Sequence, residues 1–352
     1  LGMKDANYPP NYKLSDLSDK SLINYFMEKP HTYLRKKYKD FSGDVIEFGC
    51  GDGNNIKYFN FYSTYTFTDY QFKLYVQERE TERKYEELSK KLSRMDTVFS
   101  SANLFKVYSR TMGIIVFPPN IERPRHSKLR KYIKSIRPDI SSIEEKKELE
   151  KLYVEKCYSS IRLLTPSNLR YTDDTEQFNL NVLSPKYTLI LKNIESTQGL
   201  VFCYSQFRSI EGIGLFTKVL EFNGYYPYIL SDDTEEGEEK RLQTKFKLKD
   251  KVRYETTDSQ WETYTIFKIE KNDNPSQTLY HISHRDGNIV TTTVDKIFRC
   301  YFSLWTGEED VETRKQLLIN FNKESNKYGN ESLILLTTSA GAEGISLMNV
   351  RQ

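Results

Sequence analysis

The apolar residues of this chain follow two periods, which predict alternating helices and strands. From Asp69 to about Arg94, apolar positions recur at helical spacing among charged residues, which predicts a long helix with one solvated face. Its apolar stripe consists of Phe72, Tyr75, Val76, Tyr85 and Leu88. The stretch 142–164 predicts a second helix on the same grounds.

Short uninterrupted apolar runs mark the strands of a later region. The segments "GLVFCYS", "YYPYIL" and "SLILLTT" each have the length of one buried strand, and helical patterns lie at about 184–195 and 210–224. Strands that alternate with helices in this way form parallel sheets. The sequence therefore predicts an α/β fold with a parallel sheet.

A different pattern begins at about Lys245. Residues 245–297 contain short runs that alternate apolar and polar positions, separated by "TTDSQ", "KNDNPSQ" and the hairpin signal "RDGN". Several short strands at such spacing are typical of a small antiparallel β-barrel. Because a strand–turn–helix pattern returns after residue 297, the barrel is predicted to be an insertion in the α/β region.

Composition narrows the class of protein. The 352 residues are 38% hydrophobic, and 52 basic residues nearly cancel 49 acidic ones, so a polyanion site requires local clustering. No apolar run reaches the roughly 18 residues of a membrane span, and the N-terminus lacks a signal-peptide core. We therefore expect an intracellular protein without a membrane partner. The four Cys residues show no CxxC spacing, which argues against a zinc site or a disulfide framework.

The final segment, "LILLTTSAGAEGISLMNVRQ", joins a buried strand directly to a turn of small residues. Gly341 and Gly344 permit a tight turn that a ligand can approach closely, and Glu343 can accept a hydrogen bond from a ribose hydroxyl. Backbone amides and three hydroxyl side chains suit phosphate oxygens. Those hydroxyl side chains are Thr337, Thr338 and Ser339. The alternative is a strand-to-helix turn that binds nothing.

Five separated segments resemble, in the expected order, the Swi/Snf-like group of superfamily 2 helicases. "LLTTSAGAEGISLMNVRQ" resembles motif V and the approach to motif VI, "GLVFCYSQFRSIEGIGLFTKVLEFNGY" resembles the motif IV region, and "TGEEDVETRKQLLINFN" resembles the segment before the motif V strand. "TFTDYQFKLYVQERETERK" and "LFKVYSRTMGIIVFP" resemble segments after the first lobe and between the lobes. The chain is most similar to the helicase-like ATPases of large DNA viruses, which include the ATPase subunit of the poxvirus early transcription factor.

The resemblance implies a fold and a division of the chain. It implies a RecA-like helicase C-terminal lobe with a parallel sheet, at 184–244 and 298–352, with the small antiparallel β-barrel inserted at 245–297. A helical inter-lobe region with the basic segment would occupy 65–183, after an N-terminal segment with a Gly-rich turn at 1–64. The parent would be an ATP-dependent helicase or translocase acting on nucleic acid, with DNA favoured. Its setting would be viral transcription or genome handling, beside the transcription machinery, in the virion or the infected-cell cytoplasm.

The resemblance also implies which residues bind. Motif V contacts both the nucleic-acid backbone and the nucleotide in this family, and motif IV faces the nucleic acid. The implied nucleotide-binding positions are Gly341, Glu343 and Gly344, of which Gly341 would meet phosphates. The implied nucleic-acid-binding positions are Ser205, Gln206, Thr337, Thr338 and Ser339.

Three parts of a complete motor do not occur in the sequence. It has no GxxxxGK[ST] loop, no recognisable acidic magnesium box, and no motif VI arginines after motif V. We therefore expect a fragment of a larger motor, with no catalytic residue of its own and no ATP hydrolysis by itself. ATP and Mg²⁺ would be shared with a missing first RecA-like lobe of the same protein.

A second Gly-rich stretch supports a different enzyme class. "VIEFGCGDGNN" places Gly49, Gly51 and Gly53 after an apolar run, which resembles motif I of S-adenosylmethionine-dependent methyltransferases. Asp69 follows near the position of a ribose-binding acid, roughly 20 residues on. The next hundred residues do not supply the further strands of a methyltransferase core. A non-catalytic DNA-binding module is the other alternative.

The segment "RPRHSKLRKYIKSIR" gathers basic residues with few acids. On a helix from about Ser127, positions 128, 131 and 134 fall on one side and form a stripe that can follow phosphates. The nucleic-acid-binding candidates here are Arg123, Arg125, Lys128, Lys131 and Lys134. The alternative is a solvated face balanced by the acidic "EEKKELE" that follows.

Overall fold

A computed structural model describes residues 67–93, 107–172, 178–208, 210–230, 246–307, 309–338, 346–348 and 350. All of these residues belong to one unit of the chain. The N-terminal segment at 1–64 and the Gly-rich stretch Gly49–Gly53 lie outside the described residues, and so does most of the turn after Thr338. The methyltransferase alternative therefore stays a prediction.

The described residues form nine α-helices and nine strands. The helices are α1 (Asp69–Ser93), α2 (Val107–Met112), α3 (His126–Ile136), α4 (Ser142–Leu163), α5 (Pro166–Leu169), α6 (Leu180–Leu183), α7 (Pro185–Ser196), α8 (Ile213–Phe222) and α9 (Val311–Asn322). The strands are β1 (Val201–Tyr204), β2 (Tyr226–Pro227), β3 (Lys251–Glu255), β4 (Trp261–Glu270), β5 (Leu279–Ser283), β6 (Ile289–Thr292), β7 (Ile297–Arg299), β8 (Tyr301–Trp305) and β9 (Ile334–Thr337). The four helices predicted above are confirmed as α1, α4, α7 and α8.

Four strands form the predicted parallel sheet, in the order β1–β9–β8–β2. The three strands β1, β9 and β8 end in register, because Thr337 lies opposite both Tyr204 and Trp305. Val350 forms an isolated parallel bridge to Leu200, on the side of β1 away from β9. The predicted α/β class with a parallel sheet is thus confirmed.

Helices cover both faces of the parallel sheet, since successive side chains of a strand point to opposite faces. Cys203 and Leu336 point to one face, where they join the main core with Phe216 of α8. Leu335 points to the other face, where Phe321 of α9 covers it. Burial on both faces explains why the strand sequences read as continuous apolar runs.

The helical region that precedes the sheet shares the main hydrophobic core with it. Ile114 and Val116, which follow α2, pack in one cluster with Leu183 of α6 and Leu215 of α8. The Val116 N–H also donates to the Leu183 carbonyl at 3.0 Å. The region from α2 onward therefore packs against the parallel sheet through apolar contacts.

Residues 251–299 form the second sheet, with five antiparallel strands in the order β6–β5–β4–β3–β7. The "RDGN" turn joins β5 to β6 as predicted, with Gly287 at a φ of 94°. Tyr264 and Tyr280 are buried in the small core of this sheet. In the described chain β6 pairs only with β5, and β7 only with β3. The insertion is confirmed as an antiparallel sheet, but the sheet is open and the prediction of a closed barrel is not met.

The antiparallel sheet contacts the amino-terminal edge of the parallel sheet. The Lys251 N–H donates to the carbonyl of Gly224, just before β2, at 2.9 Å. The Lys251 ammonium pairs with Glu195 of α7 at 2.6 Å. Gly224 has a φ of 91°, and a Cβ there would lie 2.1 Å from the Lys249 carbonyl oxygen, so this close approach requires glycine. The inserted sheet therefore lies at the edge opposite the strand ends that carry the motif IV and V segments.

Two buried thiols make the stability of the fold sensitive to alkaline pH. Burial raises the pKa of Cys203 and of Cys300 from 9.0 to about 12. The folded thiols thus keep their protons at pH values where the unfolded thiols lose theirs. Their contribution to the free energy of unfolding is complete below pH 9 and is lost as the pH rises toward 12.

We expect the free energy of unfolding to fall by up to about 1.4 kcal/mol per thiol for each pH unit above the ordinary thiol pKa. Urea unfolding followed by circular dichroism across this range measures the decline. A Cys203→Ala variant should be less stable at neutral pH, because packing is lost, but should decline less steeply with pH. Equal slopes for the two proteins would contradict the assignment.

Candidate functional site

The carboxyl ends of the parallel strands form the candidate site. After β1 the chain runs through α8 to β2, at the far edge of the sheet, whereas after β9 it reaches Val350 on the other side of β1. In open α/β sheets, ligands bind outside the carboxyl ends of the strands at the point where the direction of the connections reverses between neighbouring strands. That point lies between Tyr204 of β1 and Thr337 of β9. We call the ends of β1, β9 and β8 the carboxyl-edge site.

The two threonines at the end of β9 are buried in the sheet. Thr337 is 0% exposed, and Thr338 is 5% exposed. The Thr337 hydroxyl donates to the Trp305 carbonyl of β8 at 2.9 Å. This hydroxyl already donates to a carbonyl, so the side chain joins β9 to β8. It does not point toward a phosphate ligand, in contrast to the prediction.

The motif IV candidates behave differently from each other. Ser205 is fully buried, and its hydroxyl both donates to the Phe207 carbonyl at 2.9 Å and accepts from the Phe207 N–H at 3.1 Å. Ser205 thus closes the turn after β1 instead of facing a ligand. Gly212 lets α8 begin against this turn, because a Cβ there would lie 1.6 Å from the Phe207 carbonyl oxygen. Of these two candidates, Gln206 is the one whose side chain is exposed.

Two arginines that the sequence reasoning missed lie at this edge. Arg110 of α2 donates to the Gln206 side-chain oxygen at 2.7 Å. Arg314, in the first turn of α9, lies 5.3 Å from the ring centre of Trp305, and the indole N–H donates to the Arg314 carbonyl at 3.0 Å. The Arg314 Nε is buried without a hydrogen-bond partner in the described chain. The helix predicted to follow the β8 strand was the signal that could have placed Arg314 here.

The two guanidinium groups flank the end of β9. Arg110 contacts the residue that follows β1, and Arg314 contacts the last residue of β8. Since β9 lies between β1 and β8, these two strands are about 10 Å apart. A phosphate-bearing chain that passes over the end of β9 would meet positive charge on both sides.

Four further candidates lie outside the described residues. They are Ser339, Gly341, Glu343 and Gly344. The described chain resumes at Ser346, whose carbonyl accepts from the Asn322 side chain at 2.9 Å. The roles that the resemblance implies for these four residues therefore stay predictions.

Arg123, a nucleic-acid-binding candidate, is buried between α8 and the helical region. Its guanidinium pairs with Glu211, donates to the Thr111 hydroxyl at 3.2 Å and lies 4.8 Å from the ring centre of Tyr108. Burial by itself lowers the pKa of Arg123, but the charge and hydrogen bond of Glu211 outweigh it, so the pKa lies above its ordinary value. Arg123 holds the fold together here and has no exposed surface to offer a nucleic acid.

The predicted helix of the basic segment is confirmed as α3, but most of its cations have acidic partners. Arg125 pairs with Glu78 at 2.6 Å, Lys128 pairs with Glu122, and Lys134 lies 3.7 Å from Glu145. Among the described residues, Lys131 alone of these candidates has no carboxylate within ion-pair distance. The structure therefore favours the alternative of a solvated face balanced by acids, because α4 folds back beside α3.

The donors at the carboxyl-edge site suit phosphate and not a metal ion. No group of three or more His, Cys, Asp or Glu side chains in the described chain is placed to hold a metal. Guanidinium and amide groups bind phosphate oxygens, whereas Mg²⁺ requires carboxylates and water. A magnesium ion would thus need ligands from elsewhere. No described helix combines the length and the apolar character needed to cross a bilayer.

Comparisons with protein-family models, with curated proteins and with solved structures gave no match to this chain. Its function must therefore be inferred from the fold and from the chemistry of the site.

Proposed function

We propose that this chain is the second RecA-like lobe of an ATP-dependent helicase or translocase, and that its carboxyl-edge site holds phosphate groups of duplex DNA. One observation carries the proposal: the chain leaves the adjacent strands β1 and β9 in opposite directions along the sheet. The segments that resemble motifs IV and V follow these same two strands. In α/β folds, phosphate-bearing ligands bind at such a point.

The charge at this edge supports a phosphate ligand. No carboxylate of the described chain pairs with Arg314, whose Nε is buried and unsatisfied. A partly buried cation without a counter-charge costs free energy, which an anionic ligand would recover. Arg110, which already donates to Gln206, adds a second guanidinium group on the β1 side of β9. Guanidinium groups can hold neighbouring phosphates of a DNA backbone.

The lobe would bind the DNA backbone and help to position ATP, and it would not hydrolyse ATP by itself. Phosphoryl transfer needs a lysine cradle, a metal ion and an arginine at one phosphate. The sequence contains no GxxxxGK[ST] loop, and among the described residues no group of three or more His, Cys, Asp or Glu side chains is placed to hold a metal ion. ATP and Mg²⁺ would be held jointly with a first RecA-like lobe.

Binding of labelled duplex DNA to the full chain, measured by fluorescence anisotropy at several salt concentrations, tests the proposal. We expect the logarithm of the affinity to fall with the logarithm of salt concentration, by about 0.9 per phosphate contact. Arg314→Ala should reduce this slope by about 1 and weaken binding to all sequences alike. Arg314→Lys should keep most of the slope, because lysine also binds phosphate as a point charge.

Lys315→Ala is the matched control, because Lys315 is the next residue of α9 and is exposed. It removes the same charge but does not lie over Trp305. Melting temperatures would establish that each variant is folded. Equal losses for the two alanine variants, or affinity that does not depend on salt, would reject the carboxyl-edge site as a phosphate site.

A further inference from the structure

The helices α3 and α4 form a hairpin that carries the positive excess of the whole chain. Arg130 pairs with Glu145 at 3.0 Å, and Arg137 pairs with Glu148 at 2.8 Å, which fixes α3 alongside α4. Residues 126–163 contain ten basic and six acidic side chains, against 52 and 49 in the full chain. The net charge of the hairpin is therefore 10 − 6 = +4, which favours contact with a polyanion.

One exposed face of α4 combines basic and aromatic side chains. Lys147, Lys151, Tyr158 and Arg162 recur at intervals of four, seven and four residues, which places them on one side of the helix. All four are exposed, and Tyr158 is 58% exposed. In the described chain, no carboxylate pairs with these three cations. This pattern differs from that of α3, whose cations are mostly neutralised.

A groove of about 630 Å³ runs between α3 and α4 beside this face. Its apolar wall consists of Tyr132, Ile133, Ile136 and Leu152. Lys147 and Lys151 line the same groove, and so do three glutamates, of which Glu148 is already paired with Arg137. Tyr132 is 55% exposed, so its ring is available to a ligand. The volume is that of a small-molecule site and suits one or two nucleobases.

We propose that the α3–α4 hairpin binds single-stranded nucleic acid, with bases on Tyr132 and Tyr158 and phosphates on Lys147 and Lys151. Stacking on an exposed tyrosine requires an unpaired base, and lysines beside the rings neutralise the backbone, which is how non-specific single-strand sites are built. An acidic polypeptide would satisfy the lysines but has no flat groups to cover both rings. The inference does not rest on the proposed function, because the hairpin shares no residue with the carboxyl-edge site.

Anisotropy of a labelled oligothymidylate of about 12 nucleotides, titrated with the full chain, tests this inference. The double variant Lys147→Ala/Lys151→Ala should reduce the salt dependence of the affinity by about 1.4, at roughly 0.7 per contact on a single strand. Tyr132→Ala should weaken binding at least about fivefold. Both changes are at exposed positions, so melting temperatures should stay close to that of the parent.

The matched control is Lys146→Ala/Lys156→Ala, which removes two exposed lysines from other sides of the same helix. It should leave the salt dependence nearly unchanged. Equal losses in the two double variants, stronger binding of duplex than of the oligothymidylate by the Arg314→Ala variant, or equal competition by polyglutamate would each overturn the inference. Arg314→Ala should not affect oligothymidylate binding, so failure of the carboxyl-edge site and failure of the hairpin site give different results.

Discussion

Replacing Arg253 by methionine should lower the free energy of unfolding by about 3 kcal/mol or more. Arg253 lies on β3 and is 0% exposed. Its guanidinium donates to the carbonyls of Thr197 at 2.8 Å, Trp261 at 2.9 Å and Tyr328 at 3.0 Å. It thereby connects the antiparallel sheet to the residues that precede β1 and β9.

The loss is large because one guanidinium donates to all three carbonyls, and its bond to Thr197 is fully buried. Each buried acceptor that is left unsatisfied costs about 1–3 kcal/mol. Burial lowers the pKa of Arg253, which shows that desolvation of the charge is an opposing cost, and methionine would relieve it. Arg253→Lys should also be destabilising, because one ammonium group cannot reach acceptors that the planar guanidinium spans.

Urea unfolding followed by tryptophan fluorescence measures the effect. The chain has two tryptophans, and the structure places Trp261 in the antiparallel sheet and Trp305 in the parallel one. Arg285→Ala is the control, because exposed Arg285 also donates across the junction, to the Lys192 carbonyl at 3.0 Å. That variant should lose less than about 0.5 kcal/mol. Similar losses for Arg253→Met and Arg285→Ala would show that the buried guanidinium has no special role.

Glu211→Gln should cost about 3–5 kcal/mol, because it leaves the buried Arg123 without its counter-charge. Both side chains are at least nine-tenths buried. The pair joins the loop before α8 to the segment between α2 and α3. Thermal and urea unfolding at neutral pH measure the loss.

A double variant separates the ion pair from the packing of its alkyl groups. Arg123→Met/Glu211→Leu removes both charges, so it should be more stable than Glu211→Gln alone. Glu221→Gln is the control, because Glu221 forms an ion pair with Lys218 at 2.5 Å on the surface of α8. That variant should change the free energy of unfolding by less than about 0.5 kcal/mol. A double variant that is as unstable as Glu211→Gln would argue that the charges themselves are not the cause.

The regular elements of the fold could be predicted well from the sequence. Helical periodicity predicted α1, from Asp69 to Ser93, to within a residue. Short apolar runs predicted β1 and β9. The prediction for β2 was too long, since only Tyr226 and Pro227 pair with β8. The N–H groups that donate to β8 and to the residue before it belong to Tyr226 and Tyr228, so Pro227 is tolerated here because its missing donor faces the outer edge of the sheet.

The candidate site was predicted less completely. Sequence located the strand ends, but Thr337 and Ser205 use their hydroxyls within the protein, and the half-buried arginines of the site come from α2 and α9. The local sequence around a hydroxyl residue beside a glycine-rich turn is the same whether the hydroxyl binds a ligand or a neighbouring strand. Its availability depends on register between β9 and β8, which local pattern does not contain.

The sequence by itself determined the types of the elements, the parallel sheet and the insertion, because periodicity and turn chemistry act over a few neighbouring residues. Only the tertiary structure decided which charges are free. Arg123 and Glu211 are 88 positions apart, and Arg253 and Thr197 are 56 apart. Such pairings depend on how distant segments pack, so the structure buries Arg123 and leaves Lys147 and Lys151 exposed without an ion-pair partner in the described chain.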